Sequence, residues 1–255
     1  MTERPYTVLS CCISLDGYLD DATDVRLRLS NDLDFARVDA LRAGCDAILV
    51  GATTVRRDDP RLLVRASALR AARVAAGRQP SPIRVTVTGT GALDPGARFF
   101  TAGDAARVVY CAHAAAGRLG RRLGPLATVV DAGPRPSMDR VVRDLATRGV
   151  GRLLVEGGGA VLTQFLADGL ADELQLSVAP VLVGDSRAPR FVGDGRFRWA
   201  PSSRAVLLDA GAIGDVALLR YALSARCTRA ASTAPGGAAV APLAATAGAP
   251  PHPGA

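Results

Sequence analysis

A chain of 255 residues is long enough to bury the core of one large α/β domain, or of two small ones, without disulfide bridges. The net charge of +7 comes entirely from arginine, because the sequence contains no lysine. This absence excludes a Schiff-base lysine and a P-loop, whose lysine contacts nucleotide phosphates. Aromatic residues make up only 4% of the chain and its 24 acidic residues are interspersed with the arginines, so nucleic-acid binding is disfavoured.

The first residues lead directly into a strand-like run, without the charged and long apolar regions of a secretory signal. No apolar stretch approaches the roughly 20 residues that a membrane span needs. We therefore expect a cytoplasmic protein with no membrane partner. The five cysteines lack C-x-x-C spacing and the two histidines, His113 and His252, are far apart, so the sequence predicts neither disulfides nor a metal site.

Between residues 6 and 224 the chain alternates short β-branched runs with longer amphipathic segments. This order is typical of one α/β domain, in which helices cover both faces of a mostly parallel sheet. The short link Gly211-Ala212-Ile213-Gly214 between the last two strands favours a hairpin, and therefore antiparallel strands at the end of the sheet. The predicted strands are Tyr6–Ile13, Asp46–Val50, Ile83–Thr88, Arg107–Cys111, Ala127–Val130, Arg152–Val155, Glu173–Ala179, Ala205–Leu208 and Val216–Leu223.

Two helices have recognisable ends. Asn31 or Asp32 can cap a helix that ends at Ala43, and a second helix is predicted over Met138–Thr147. The apolar stripes consist of Phe35, Val38 and Leu41 in the first helix and of Val141, Val142 and Leu145 in the second. After these elements the composition changes to Ala, Pro, Gly, Ser and Thr. We therefore predict one folded domain over residues 1–224 and a disordered tail over residues 225–255.

Short motifs follow the first two predicted strands. Ser14-Leu15-Asp16-Gly17 closes the first strand, and Asp-Gly at such a place is typical of a simple turn. Gly51-Ala52-Thr53-Thr54 joins the second strand to a helical segment, where free amides and a threonine hydroxyl can bind a phosphate. The alternative for this second motif is a tight turn capped by Thr53 or Thr54.

The third motif is the polar loop Asp58-Asp59-Pro60-Arg61-Leu62-Leu63-Val64-Arg65. Arg61 and Arg65 could clamp a phosphate, with Leu62 as an apolar wall against a heterocycle. A solvated loop is the alternative. The position favours a ligand site, because the loop leaves the carboxyl side of the sheet, where α/β proteins bind their ligands.

The most specific motif runs from a buried strand through three glycines into a helix, as Leu153-Leu154-Val155-Glu156-Gly157-Gly158-Gly159-Ala160-Val161-Leu162. Backbone amides and the helix dipole converge there, which suits a pyrophosphate. Close approach of the backbone requires a glycine conformation closed to other residues, and we assign it to Gly158. Glu156 either caps the turn or faces the ligand.

The order of these motifs resembles the C-terminal reductase domain of the riboflavin-pathway deaminase-reductase and, more distantly, dihydrofolate reductase. The resemblance covers residues 6–221 and includes Asp172-Glu173-Leu174, followed by Pro180 and Gly184. It implies a dihydrofolate-reductase-like fold, NADPH as cofactor and a homodimer. This chain departs from the bifunctional bacterial members at Ser10, where they have a lysine, and at Gly89, where they tend to have a serine.

The resemblance also implies the residues of the site. The cofactor-binding residues would be Cys12, Gly51, Thr54, Asp58, Thr88, Gly157, Gly158, Gly159, Ala160, Val161 and Leu162, continuing to Gln164. The substrate-binding residues would be Arg42, Leu62, Arg65 and Glu156. Arg56, Arg57 and Thr88 are candidates for the 2′-phosphate of NADPH. As in dihydrofolate reductase, a cis peptide bond is expected between Gly157 and Gly158.

The family reaction opens a ribosylamino group on a pyrimidine and delivers hydride to the sugar carbon, giving a ribityl chain. The resemblance therefore predicts an NADPH-dependent reductase of the 5-amino-6-(5-phosphoribosylamino)uracil reductase type. Glu156 would act in catalysis, with Asp16 or Asp59 assisting proton movement. Two alternatives are a pteridine or secondary-metabolite reductase on the same fold and a cofactor-binding protein without turnover.

Overall fold

The computed structural model describes residues 3–233, which form a nine-stranded sheet with helices on both faces. The strands are β1 (Tyr6–Ser14), β2 (Ala47–Gly51), β3 (Ile83–Thr88), β4 (Arg107–Cys111), β5 (Thr128–Asp131), β6 (Arg152–Gly157), β7 (Glu173–Ala179), β8 (Val206–Ile213) and β9 (Val216–Ala222). The helices are α1 (Asp32–Ala43), α2 (Ala52–Asp58), α3 (Ser67–Ala75), α4 (Arg98–Thr101), α5 (His113–Leu123), α6 (Met138–Thr147), α7 (Gly159–Ala167) and α8 (Ala225–Thr233).

The strand order is β5-β4-β3-β2-β6-β1-β7-β9-β8. Strands β1 to β7 are parallel, whereas β9 pairs antiparallel with β7 and β8 pairs antiparallel with β9. This arrangement confirms the predicted fold class. Every residue of β2 is buried, because helices cover both faces of the sheet, and so the strand is a continuous apolar run without alternation.

The apolar core is divided by the sheet into two clusters. Successive side chains of a strand point to opposite faces, so Leu9 belongs to one cluster and Val8 to the other. Leu9 shares its cluster with Val141 of α6 and Phe165 of α7. Val8 shares its cluster with Phe99 of α4. The cores fix the sheet between two helical layers and leave its carboxyl edge open to loops.

Helices α1 and α6 begin and end as predicted, but they bury different kinds of residue. Asn31 caps α1 by accepting a hydrogen bond from the amide of Asp34 at 2.8 Å. In α6 the predicted apolar stripe is buried. In α1 the predicted stripe is only half-buried, and the buried residues are Asp34 and Asp39. Buried carboxylates need polar partners, so the buried face of α1 packs against polar groups and not against an apolar core.

Two boundary predictions were wrong. Strand β8 continues through the predicted link to Ile213, and the hairpin turn lies at Gly214 and Asp215. The first nine residues of the predicted tail form α8 instead of a disordered segment. This helix is held by Cys227, which is buried, and by Arg226, which pairs with Asp172 at 3.5 Å. Residues 234–255 of the predicted tail lie outside the described residues.

All five cysteines are free, in agreement with the sequence analysis. Burial raises the pKa of the Cys45 thiol to about 11, so that it stays protonated at neutral pH and acts as a small apolar group. Across residues 3–233, no helix combines the length and hydropathy needed to cross a bilayer.

Candidate active site

A large cavity lies at the carboxyl edge of the parallel strands, where α/β proteins bind ligands. Its volume is about 1770 Å³, and its walls come from α1, α2, the loop after α2, the ends of β3 and β6, and the start of α7. Among the described residues, eleven arginines but only four acidic residues line it. The excess of positive charge suits a ligand with several phosphates.

The glycine turn between β6 and α7 forms one wall of this cavity. Gly157 and Gly158 have φ values of +131° and +66°, and the second confirms the conformation assigned to Gly158. A Cβ atom on Gly158 would lie 3.2 Å from Oγ1 of Thr54, and one on Gly159 would lie 2.5 Å from the backbone oxygen of Arg190. A side chain at Gly158 or Gly159 would therefore collide with a neighbour, and the turn lies in the cavity wall as bare backbone.

The predicted cis bond between Gly157 and Gly158 was wrong, because no peptide bond in the described residues is cis. The two positive φ values reverse the chain instead. Leu162 was also misplaced: its side chain is fully buried in the core, and its amide donates to the Gly158 oxygen at 3.1 Å. The other predicted cofactor residues line the cavity: Cys12, Gly51, Thr54, Asp58, Thr88, Gly157, Gly158, Gly159, Ala160 and Val161.

Arg42 and Glu156 form a bidentate ion pair in the cavity wall. Nε and Nη2 of Arg42 donate to the two carboxylate oxygens of Glu156, each at 2.6 Å, and both side chains are nearly buried. Burial lowers the pKa of Arg42, but the Glu156 carboxylate more than offsets this and raises the pKa above its ordinary value. The pair resolves the alternatives for Glu156, which lines the cavity and does not cap the turn.

The loop after α2 brings Leu62 and Arg65 to the same cavity. Leu62 has a φ of +48°, a strained value for a residue with a side chain, and it is 2% exposed. The loop is fixed by Asp39 of α1. Its carboxylate accepts hydrogen bonds from the backbone amides of Arg65 and Ala66, at 2.7 and 2.8 Å. The Arg65 guanidinium lies 5.6 Å from the ring centre of Phe35 and has no anionic partner among the described residues, so it is free to bind a phosphate.

Asp16 and Asp59, the predicted proton carriers, do not line the cavity. Asp16 accepts hydrogen bonds from the Ser14 hydroxyl and from the amides of Val183 and Gly184. These bonds, led by that of Ser14, lower the pKa of Asp16 to about 2. The Asp59 carboxylate accepts hydrogen bonds from the backbone amide and from Nε of Arg98, at 2.6 and 2.9 Å. Both carboxylates therefore hold loops together, and the assignment of either to proton transfer was wrong.

The three candidates for a 2′-phosphate all line the cavity, but they differ in their partners. Arg57 lies 3.5 Å from the Asp20 carboxylate. Arg56 donates only to the Thr53 hydroxyl and to a backbone oxygen. Thr88 is buried and its hydroxyl accepts the Gly91 amide at 3.0 Å. Of the two arginines, Arg56 is therefore the one whose charge is not neutralised by an acidic side chain.

The sequence analysis missed two acidic residues of the site. Asp39 holds the loop that carries Arg65, and Asp34 lies in the cavity wall. The signal was available, because each aspartate directly adjoins a residue of the apolar stripe of α1, at Phe35 and Val38. Carboxylates beside a core-facing stripe are costly unless they are paired, so they mark a polar site under the helix.

The sheet order and the cavity define the class of protein: a dihydrofolate-reductase-like α/β protein with an arginine-rich cavity at the carboxyl edge of its sheet. The chain belongs to the family described as the RibD C-terminal domain, whose model matches residues 5–214. The resemblance inferred from the motifs is thus confirmed.

Two curated relatives match over most of their length. The chain is similar to the 2,5-diamino-6-ribosylamino-4(3H)-pyrimidinone 5′-phosphate reductase of Archaeoglobus fulgidus, with 35% identity over 187 residues that cover 73% of this chain and 85% of the relative. The protein of the same name from Methanothermobacter thermautotrophicus is 33% identical over 220 residues, which cover 86% and 98%. A pyrimidine reductase-like protein from Corynebacterium diphtheriae shares the fold, with a TM-score of 0.72 and 22% identity over 86% of this chain and 91% of that one.

Proposed function

We propose that this chain is an NADPH-dependent reductase of a ribosylaminopyrimidine 5′-phosphate in riboflavin biosynthesis. The observation that carries the proposal is that one cavity joins the glycine turn to the Arg42–Glu156 pair and to the unpaired Arg65. The glycine turn can hold a pyrophosphate, and Arg65 can hold the phosphate of the sugar.

The residues present fit a dinucleotide. Gly158 presents bare backbone to the cavity beside Thr54, and the start of α7 offers the amides of Gly159 and Ala160. When bound, NADPH supplies the hydride that reduces the sugar carbon. Glu156 then holds or gives a proton at the ribosylamino group, in the orientation that Arg42 fixes. Arg42 is a positioning residue here, because its donors are already committed to Glu156 and to the Leu63 oxygen.

Oxidation of NADPH in the presence of the ribosylaminopyrimidine phosphates tests the proposal. We expect turnover with at least one of the 2,5-diamino-pyrimidinone and 5-amino-uracil forms, and none with dihydrofolate. Turnover with dihydrofolate alone would favour a pteridine reductase. Tight NADPH binding without turnover on any of them would favour a binding protein.

We predict that NADPH binds at least ten-fold more tightly than NADH, a difference of about 1.4 kcal/mol. Arg56→Gln should remove most of this difference while leaving NADH affinity unchanged, because Arg56 has no acidic partner to neutralise it. Arg57→Gln is the matched control, since Arg57 is committed to Asp20. Titration calorimetry with both cofactors measures the two affinities. Equal affinities in the parent chain would contradict the assignment.

We also propose that the chain forms a homodimer. Strand β8 is one of the two edge strands of the sheet, and it exposes about half of the side chains of Val206 and Leu207. An exposed apolar edge strand is a ready surface for a second copy. We expect Leu207→Asp to convert a dimer to a monomer in sedimentation experiments, and Leu182→Asp, at an exposed leucine outside β8, to leave the dimer intact. A monomeric parent chain at micromolar concentration would exclude the dimer.

A further inference from the structure

Two arginines approach the same aromatic ring in the wall of the cavity. The guanidinium carbon of Arg28 lies 5.2 Å from the ring centre of Phe35, and that of Arg65 lies 5.6 Å from it. All three residues line the cavity. An aromatic face attracts a cation and helps to fix its position, but it does not neutralise the charge. The two like charges beside one ring repel each other, and an anion that contacts both relieves this repulsion.

The loop between β1 and α1 holds Arg28 in this position. Its two neighbours, Leu27 and Leu29, pack in one small apolar cluster with Val216 of β9. The backbone amide of Leu27 also donates a hydrogen bond to Oδ1 of Asp20, at 2.8 Å. The backbone is therefore anchored on both sides of Arg28, and the arginine extends from fixed points toward α1 instead of moving with a free loop.

The charges of both arginines are available to a ligand. Among the described residues, the acidic partner of Arg28 is Asp32 in the first turn of α1, and the two side chains are 62% and 92% exposed. Exposed ion pairs contribute little to stability because water screens them, so Arg28 can exchange Asp32 for another anion at small cost. Arg65 pairs with no carboxylate in the part of the chain that the structure describes. Together they can offer two positive charges to one group.

The two arginines lie two helical turns away from the Arg42–Glu156 pair. Phe35 and Arg42 are seven residues apart in α1, so they lie on the same face of the helix, about 10 Å apart along its axis. Both residues line the cavity. This spacing is about the length of a sugar phosphate with a hydrogen bond at each end. A ligand whose sugar carbon lies at Glu156 can therefore place its phosphate between Arg28 and Arg65.

We propose that Arg28 and Arg65 together bind the 5′-phosphate of the substrate beside the ring of Phe35, and that Arg28 exchanges Asp32 for this phosphate when the substrate binds. The inference rests on the proposed reductase function and adds Arg28, Phe35 and Asp32 to its site. A phosphate monoester carries a charge close to −2 at neutral pH, which two guanidinium groups match. Arg28 thus helps the site to distinguish the phosphorylated substrate from the same compound without its phosphate.

Titration calorimetry with ribose 5-phosphate tests the inference without cofactor or turnover. We expect Arg28→Gln to weaken binding at least ten-fold, because it removes a hydrogen bond between two charged groups. Asp32→Asn should strengthen binding about two-fold or more, because Asp32 then no longer competes for Arg28. Arg187→Gln is the matched control: Arg187 is exposed, pairs with Asp185 and does not line the cavity. This variant loses the same charge and should bind ribose 5-phosphate as the parent chain does.

Kinetics and NADPH titration separate this inference from the function on which it rests. Arg28→Gln should raise the KM for the ribosylaminopyrimidine phosphate at least ten-fold, with kcat and NADPH affinity within two-fold of the parent chain. A parent chain that binds ribose 5-phosphate through Arg28 but reduces no pyrimidine contradicts the proposed function and keeps the phosphate site. An Arg28→Gln variant that matches the parent chain in ribose 5-phosphate affinity and KM, or that loses NADPH affinity instead, overturns the inference. Asp32→Asn does not depend on the folding of that variant, and weaker ribose 5-phosphate binding by it would overturn the exchange.

Discussion

Replacing Glu156 by glutamine is expected to lower kcat at least 100-fold while changing NADPH affinity less than two-fold. Glutamine keeps the shape of the side chain but can neither hold nor give a proton at the ribosylamino group, and positioned acids and bases contribute about 10²–10⁴-fold to rates. Glu156 accepts no hydrogen bond from the glycine turn in the structure, so the predicted cofactor wall stays intact. Single-turnover measurement of NADPH oxidation separates the chemical step from binding.

The control addresses the buried charge that Glu156→Gln leaves on Arg42. Removing one partner of a buried pair costs about 3–5 kcal/mol, so the single variant will also melt at a lower temperature. The double variant Arg42→Gln with Glu156→Gln removes both charges and should recover much of that stability. We expect it to remain as slow as the single variant. If the double variant regains activity along with stability, Glu156 is a structural residue and has no part in catalysis.

The fold was predictable because its signals are local. Each strand of the parallel core is a β-branched run bounded by turn residues, and Ile83–Thr88 and Glu173–Ala179 were predicted to the residue. The errors lie where local signals compete. Gly211 looked like part of a turn, but pairing with β9 holds it in a strand. Helix α8 lacks large apolar residues, and contacts distant in sequence, such as that of Arg226 with Asp172, order it.

The parts of the site in which backbone geometry requires a certain residue type were predictable. The hydrogen-bond partners of the side chains were not. The glycine turn follows from the need for a bare backbone, and Gly158 could be named from the sequence alone. The partners of Arg42 and Asp16 could not, because a long or acidic side chain binds whatever the fold brings near it. Asp34 was missed for the same reason, because the fold brings the Ser177 hydroxyl to its carboxylate from a distant strand.

The Gly158→Ala variant is expected to lose at least ten-fold in NADPH affinity, or about 1.4 kcal/mol, and to lose stability as well. Two effects act at this position. With φ at +66° and ψ at +127°, Gly158 lies outside the left-handed α region, and such a conformation costs a residue with a side chain about 1–3 kcal/mol. The new Cβ would also lie 3.2 Å from Oγ1 of Thr54, on the wall where a pyrophosphate would contact the backbone. Thermal melting reports the first effect and cofactor titration the second.

Gly149→Ala separates the two effects, because Gly149 has a φ of +82° with nothing within 4 Å of the added Cβ, and it does not line the cavity. It should lower the melting temperature, as Gly158→Ala does, while binding NADPH as the parent chain does. A loss of affinity in Gly158→Ala alone then reports a local effect on the predicted cofactor wall and not a general loss of stability. If both variants bind NADPH like the parent chain, the glycine turn only reverses the chain and the pyrophosphate must bind elsewhere in the cavity.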